Sequence, residues 1–351
     1  MDNFEVIIGL EIHIQLNTIR KMFCNCSNDI WGKKPNTYTC PVCLGLPGAL
    51  PVPNNEAIKK CQIFGLALNC TLAKNSNFDR KHYFYHDLPK GYQISQYKLP
   101  FCYNGYLDLP DGRVDIIRIH LEEDTAKSIH DTATNSTLID FNKSGVPLME
   151  IVTAPVIKSA AHAVDYARQI AYIAEFIGVS NVNMEQGNLR VEPSISLRKK
   201  GEKELPNYKV ELKNINSFKF MKQAIEYEIQ RQSEELKKGN KINQQTRGWN
   251  ESKKITFLQR EKETESDYRY LPEPDIPPFE FSDEYIKDLK LSMPKLPFMV
   301  VNDFVTKYKV QKSKVEELLR TGRLDEANLL VNYGLSAKES VKILLSAPEQ
   351  V

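Results

Sequence analysis

Two sets of residues in this sequence have the types and spacing to do chemistry. The first is cysteine: Cys24-Asn-Cys26 is followed, thirteen residues on, by Cys40-Pro-Val-Cys43. Two close pairs on separate turns are the usual supply of four thiolates to a tetrahedral zinc ion. Such a centre has no open position, so it would staple a loop and leave catalysis to other groups. Four ordinary reduced thiols are the alternative. Cys61, Cys70 and Cys102 read as small buried apolar side chains.

The second set is acidic. Glu11 and His13 lie in GLEIHIQL, Glu122 and Glu123 in IRIHLEED, and Glu150 in GVPLMEIV. Glu192 lies in LRVEPSISLR and Glu211 in YKVELK. One acid in a strand is ordinarily solvated. Several converging on one sheet face would form a trough whose like charges require cations. Carboxylates with an occasional imidazole suit Mg²⁺, which bridges to nucleotide phosphates, so the chemistry indicated is ATP-dependent phosphoryl transfer.

A third stretch, RKHYFYHDLPKGYQISQY (80–97), is dense in cations and rings. Arg80, Lys81 and Lys90 with Tyr83, Tyr85, Tyr92 and Tyr97 could hold a phosphate or a nucleic-acid end; a rigid surface loop is the plainer reading. TRGWN (246–250) and QREKETESDYRYLPEPD (259–275) share this density. There is no Walker loop, G-x-S-x-G or G-x-G-x-x-G motif.

The elements that must position these residues follow from periodicity. In GLEIHIQL, Leu10, Ile12, Ile14 and Leu16 alternate with Glu11, His13 and Gln15, so a strand would have one apolar and one polar face. Ile117, Ile119 and Leu121 oppose Arg118, His120 and Glu122. Leu189, Val191, Ile195 and Leu197 oppose Arg190, Glu192, Ser194, Ser196 and Arg198. Tyr208, Val210 and Leu212 oppose Lys209, Glu211 and Lys213. Half-buried antiparallel strands alternate in this way. Two helices are expected before residue 290, one from Ser159 to Gly178 and one from about Ser217 to Gly239. The fold class is α+β, a mostly antiparallel sheet with packing helices on one side and a polar concave face on the other. After LPEPDIPP and MPKLP the pattern changes to short helices, a small all-α region. The expected domains are 1–292, with a cysteine loop at 22–46, and 293–351.

The 351 residues suffice for about two domains. The formal charge of +2, from 47 basic and 45 acidic residues, is too balanced for a chain that coats nucleic acid or a membrane. No run approaches a membrane span. MDNFEVIIGLEIHIQL has neither a basic leader region nor a cleavage site. Seven cysteines without such a leader argue against a disulfide framework, and a cytoplasmic location is expected.

Taken in order, GLEIHIQL, FCNC…CPVCLGLPGALPVPN, DLPKGYQISQY, IHLEEDTAKSIH, DFNKSGVPLMEIVT, LRVEPSISLR, VELKNINSF and SDYRYLPEPD resemble the GatB/GatE family. These are B subunits of the glutamine-dependent aspartyl/glutamyl-tRNA amidotransferases (GatCAB), and the match runs from about residue 3 to 290. The resemblance implies a cradle distantly similar to glutamine synthetase. It implies a carbon–nitrogen ligase that uses ATP and Mg²⁺ to phosphorylate Glu or Asp misacylated on tRNA(Gln) or tRNA(Asn). Ammonia channelled from the amidase, the A subunit, then displaces the phosphate. That amidase, the small C subunit of the complex and misacylated tRNA are the implied partners, with no membrane. The resemblance further implies Glu11, His13 and Glu122 or Glu123 as Mg²⁺ ligands, and Glu150 and Glu211 as acids lining the same site. Lys90 would lie where the ammonia channel arrives. Arg190, Glu192, Asn142 and Ser144 would join Glu11, His13 and Glu122 around the nucleotide, and Cys24, Cys26, Cys40 and Cys43 would hold structural Zn²⁺.

Some positions depart from the family pattern. GNLRVEPSIS stands where GSLRCDANVS is usual, Gln245 where Glu is common, and His86 where Pro is usual. The family's tRNA-gripping tail domain is expected to be absent. Two other function classes fit the residues: a non-catalytic tRNA-binding or assembly piece, and a stand-alone carboxylate–ammonia ligase for a small molecule.

Overall fold

Alternation along GLEIHIQL does build a strand, β1 (Phe4–Gln15), whose even-numbered residues Ile8, Leu10, Ile12 and Ile14 are fully buried. The computed structural model describes residues 3–131, 133–261 and 268–346. Part of the 259–275 stretch, including Ser266 and Asp267 of SDYRYLPEPD, lies outside the described residues. The chain divides into two units, Met1–Met293 and Pro294–Val351.

After β1 the first unit carries α1 (Asn55–Ala67), β2 (Thr71–Leu72), β3 (Asn75–Ser76), β4 (Asp79–His82), β5 (Tyr92–Ser95) and β6 (Cys102–Leu109). It continues through β7 (Gly112–Glu123), β8 (Lys127–Asp131), β9 (Ser136–Asp140), β10 (Pro147–Thr153), α2 (Ala160–Phe176), β11 (Leu189–Lys199) and β12 (Val210–Lys213). Then come α3 (Phe218–Lys237), β13 (Gln245–Asn250), β14 (Ile255–Glu261), β15 (Leu271–Pro272), β16 (Phe279–Glu280) and α4 (Asp283–Leu291).

Nine strands form one sheet, ordered β14-β13-β12-β11-β1-β10-β7-β6-β2. Its neighbours are antiparallel except β12 and β13. Parallel neighbours need a crossover in place of a hairpin, and α3 lies between these two strands in the chain. The class is therefore α+β with a large mixed sheet.

Helices α2 and α3 pack on each other, with α2 against β1 and α3 against β11. Both begin at a serine cap: Ser159 Oγ accepts from His162 N and Ser217 Oγ from Phe220 N, each at 3.1 Å. Their buried stripes contain Ala163, Val164, Ala167, Ile170 and Ala174, and Met221, Ala224, Ile225 and Ile229.

Three features correct the sequence reading. The first unit has two more helices than expected, α1 and α4. α1 is capped by Asn54 Oδ1, which accepts from Glu56 N at 2.9 Å. It also contains a glycine, Gly65, where a Cβ would collide with the Cys102 side chain of β6. The third correction is Ile117, expected beside Ile119 and Leu121 but 46% exposed. The register of β7 against β10 shifts there, pairing Val152 with Arg118 and Thr153 with Ile116. The extra residue reverses the facing pattern upstream, so Val114 and Ile116 are buried instead.

The second unit contains α5 (Pro297–Tyr308), α6 (Lys312–Arg320), α7 (Leu324–Asn332) and α8 (Ala337–Ser346). Val315, Leu318, Leu324, Ala327, Val341 and Leu344 are buried in its core with Val301 and Phe304. Arg323 Nη1 donates to Leu344 O at 2.6 Å, tying the start of α7 to the end of α8. No helix among the described residues is long and apolar enough to cross a membrane.

Candidate active site and cysteine centre

Because one face of β1 is buried, its register is fixed, and so are the neighbours of its polar face. His13 pairs with Glu150 of β10 on one side and Arg190 of β11 on the other; Glu150 in turn pairs with His120 of β7. Glu11 pairs with Glu192, and Ser194 with Glu211 of β12. The ladder His120–Glu150–His13–Arg190 thus crosses four strands.

Glu11, His13, His120, Glu150, Arg190, Glu192 and Glu211 line a cavity of about 250 Å³. Within it, His13 Nε2 lies 3.3 Å from Glu150 Oε2 and 3.9 Å from Glu122 Oε1, and His120 Nε2 lies 3.4 Å from Glu150 Oε2. Burial disfavours the charged form of each group. For Glu150 the two imidazoles outweigh burial and hold its carboxyl well below the usual range. For His13, burial is outweighed by the hydrogen bond and charge of Glu150, with Glu192 helping, and the imidazole is pushed up to about 9. For Glu11 the balance goes the other way: burial, then Glu150, Glu211 and Glu192, raise its carboxyl and outweigh the opposing charge of His13.

Ligand atoms of His13, Glu122 and Glu150 lie within 4.8 Å of one another. The Nδ1 atoms of His13 and His120 are buried without a hydrogen-bond partner. Two carboxylates and an imidazole on adjacent strands form a donor set that fits a hard divalent cation bridging to phosphate. Glu11, expected with His13 and Glu122 as a ligand, lines the same cavity but stands outside this trio.

The cavity also takes in Lys81, which the sequence offered as a contact for phosphate or a nucleic-acid end, and Arg118, His120 and Asp124, which were not singled out from sequence as site residues. Arg118 and His120 share the period-two face of Glu122, a signal legible in IRIHLEED. Asp124 follows β7 and is 3% exposed. Its Oδ2 accepts from Gln15 Nε2 at 2.8 Å, Arg190 Nη2 at 2.9 Å and Lys143 Nζ at 3.0 Å. Burial would raise this carboxyl, yet Arg190 and then Lys143 hold it well below the usual range. Gln15 Oε1 in turn accepts from Asn188 Nδ2 at 3.0 Å, so its amide positions the hub.

Four expected site residues lie elsewhere. Glu123 points opposite to Glu122, as period two requires: it pairs with Lys90 at 2.5 Å and accepts from Ile94 N at 3.0 Å. Lys90 lines a different hollow with Phe23, Gly45 and Tyr92. Asn142 and Ser144 hold the cysteine segment. Asn142 Oδ1 accepts from Tyr38 N and its Nδ2 donates to Lys34 O, while Ser144 Oγ donates to Cys43 O, each at 2.8 Å.

The cysteine segment has almost no regular secondary structure, yet it gathers Cys24, Cys26, Cys40 and Cys43 with sulfurs within 4.8 Å. Cys43 and Cys40 Sγ are 3.9 Å apart, close to the ~3.8 Å edge of a tetrahedron with Zn–S bonds of about 2.3 Å. Beneath them Lys21 is completely buried without a carboxylate among its described partners. Its Nζ donates to Ser144 O at 2.7 Å and Tyr38 O at 2.9 Å, and lies 3.7 Å from Cys43 Sγ. A hydrogen bond from Cys24, then the Lys21 charge, overcome burial and pull the Cys43 thiol down to about 5. The sulfurs and their charge partner fit zinc.

The profile of the GatB/GatE catalytic domain matches residues 6–287. The B subunit of the aspartyl/glutamyl-tRNA(Asn/Gln) amidotransferase of Caldicellulosiruptor saccharolyticus is 44% identical over 334 residues, covering 94% of this chain and 68% of that protein. Its counterpart in Carboxydothermus hydrogenoformans is 47% identical, covering 88% and 65%. That of Thermodesulfovibrio yellowstonii is 46% identical, covering 92% and 68%. The chain therefore spans about two thirds of the length of these curated relatives. A carboxylate–imidazole cavity, a four-cysteine centre and a match over most of the first unit agree on one conclusion: this chain belongs to the GatB/GatE family.

Proposed function

We propose that this chain is the phosphorylating subunit of a tRNA-dependent amidotransferase, acting on Glu-tRNA(Gln) or Asp-tRNA(Asn) with ATP. A glutamine-synthetase-like cradle is the fold that goes with this reading. A free carboxylate is a poor acyl donor to an amine because it has no good leaving group, so the reaction runs in two steps. A side-chain carboxylate oxygen attacks the γ-phosphorus of ATP, the bond to the ADP oxygen breaks, and an acyl phosphate forms. Ammonia nitrogen then attacks the acyl carbon, inorganic phosphate leaves with the C–O electron pair, and the nitrogen loses a proton. The partner amidase releases the ammonia from glutamine, and a third, small polypeptide completes the heterotrimer.

The observation that carries this reading is the His13–Glu122–Glu150 trio within a cavity also lined by cations. Those three residues would hold Mg²⁺, which when bound neutralises phosphate charge. Glu150 keeps both imidazoles oriented towards the cavity floor, and Asp124 does the same for Arg190, a planar donor suited to phosphate. Cys24, Cys26, Cys40 and Cys43 would hold a structural Zn²⁺ with no open position.

The test is phosphate release by the reconstituted complex with misacylated tRNA, ATP and ammonium, which bypasses the amidase. His13→Ala and Glu11→Gln should each reduce amidation by at least about 100-fold, the scale of one preorganised electrostatic group, and leave glutaminase intact. Unchanged amidation sinks the cavity assignment. No phosphate release by the unaltered complex under any condition favours a scaffold that only binds tRNA.

A further inference from the structure

The cavity holds most of its acids in the middle of the sheet and has further cations towards the ends. Lys209 and Arg260 lie at the β12–β14 end, and Arg118 lies on β7 at the other. Four strand spacings of ~4.8 Å separate β12 from β7 by roughly 19 Å. That length takes a nucleotide's phosphates from one end and a second substrate from the other.

The β7 end has a distinctive wall. Lys81 of β4 and Arg118 both line the cavity; Arg118 makes no ion pair among the described residues, whereas Lys81 lies in the field of Glu122 and then Glu150, which keep its ammonium charged against burial. Arg118 sits 5.9 Å from the centre of the Tyr97 ring, and its Nε is buried without a hydrogen-bond partner. Lys81 Nζ lies 4.9 Å from the centre of Tyr268. Tyr97 stacks on Tyr270, ring centres 4.3 Å apart and planes within 13°. Arg190 and Lys213 differ: the first is matched by Asp124 at 2.9 Å, the second by Glu192 at 2.7 Å and Glu211 at 3.0 Å. A partly desolvated guanidinium that makes no ion pair, such as Arg118, lacks hydrogen-bond partners that an arriving anion supplies. Tyrosine faces are platforms for unpaired bases.

We propose that this end is the acceptor subsite: Lys81 and Arg118 bind the side-chain carboxylate of the aminoacyl group, and the tyrosine wall receives the unpaired terminal nucleoside that carries it. The inference rests on the phosphorylating reading above and adds which end takes which substrate. A guanidinium matches a carboxylate in shape as well as charge. Binding there presents the carboxylate to the γ-phosphorus of a nucleotide entering from the β12 end.

The experiment is steady-state phosphate release by the assembled complex, varying misacylated tRNA and ATP separately. Arg118→Gln and Lys81→Met should each raise KM for misacylated tRNA about 10- to 100-fold, the loss of one charge-assisted hydrogen bond, with KM for ATP little changed. Arg118→Lys should recover part of the loss. For Arg118→Gln, which removes a cation that makes no ion pair among the described residues, the melting temperature should stay equal or rise, whereas a structural role would lower it. A rise confined to KM for ATP, or no change in either constant, overturns the proposal. If the unaltered complex releases no phosphate, the phosphorylating reading fails by itself. Equilibrium binding of misacylated tRNA to the unaltered and Arg118→Gln complexes then decides the subsite: equal affinities overturn it.

Discussion

The two chemical centres are built by opposite means. The cavity stands on strands whose register is fixed by the buried face of β1, so each charged group is placed by its neighbours across the ladder. The cysteine centre stands on a segment with almost no ladder or helix, held by side chains: Lys21 from below, Asn142 and Ser144 from the side. The cavity can persist without its ligands because burial elsewhere holds the sheet. The cysteine segment lacks that support, and a metal held by its four sulfurs would supply it.

Metal removal should break this contrast open most widely. Stripping metal, or Cys40→Ser, removes a binding energy that reaches ~10 kcal/mol or more in structural zinc sites. Hydrogen exchange should accelerate sharply across the cysteine segment while β1, β10 and β11 stay protected. Equal loss of protection in both regions would show that the sheet also leans on the metal.

Asp124→Asn comes next, because it leaves Arg190 and Lys143 facing a neutral amide. Breaking a buried pair of this kind costs about 3–5 kcal/mol, read as a shift in denaturant midpoint. The sign with pH follows from the depressed native carboxyl. Its stabilisation is fully present above the unfolded Asp value of about 3.9 and is lost as pH falls from there towards the native value. The variant should therefore show a flatter acid limb than the parent; parallel limbs would remove Asp124 as the hub.

The smallest effect belongs to Lys21→Met, which takes the charge from beneath the sulfurs and keeps the bulk. Zinc affinity by chelator competition should weaken about 10- to 100-fold, the usual loss for a group supporting the ligands. Unchanged affinity would reduce Lys21 to a tether for the Ser144 and Tyr38 carbonyls.

What could be read from the sequence was whatever period two controls. The polar faces of β1, β7, β11 and β12 were legible, and with them Glu11, His13, Glu192 and Glu211 as companions in one cavity; Glu150 stood out as the lone acid in the apolar run of β10. Period two also separates Glu122 from Glu123, yet the run of acids left both open as ligands until the ladder placed them. Ile117 escaped because one inserted residue inverts the alternation, and nothing in IRIHLEED marks the insertion. Helix α1 carries an Asn54 cap and buried Ala57, Ile58, Cys61 and Phe64, but it follows a Pro/Gly-rich run and contains Gly65, so breakers masked its period. Asn142 and Ser144 lie in a matching motif, but only tertiary structure shows that they face the cysteines. Lys81 lies in a separate small sheet, and no local pattern brings it to the cavity.

The position of β1 in the sheet bears on how the chain is made. It lies fifth of nine strands, yet it is synthesised before either neighbour: β10 ends at Thr153 and β11 at Lys199. One bond along its edge, from Leu10 N to Thr153 Oγ1, closes 143 residues of chain. At about 5–20 residues per second, roughly 10–40 s pass between completion of β1 and completion of β11. Until β10 is made Ile8, Leu10, Ile12 and Ile14 have neither neighbouring strand to pair with, and the edge that β11 covers stays open to any other strand until the interval ends. The strand that carries His13 and Glu11 is therefore also the segment through which a nascent chain is most exposed to aggregation.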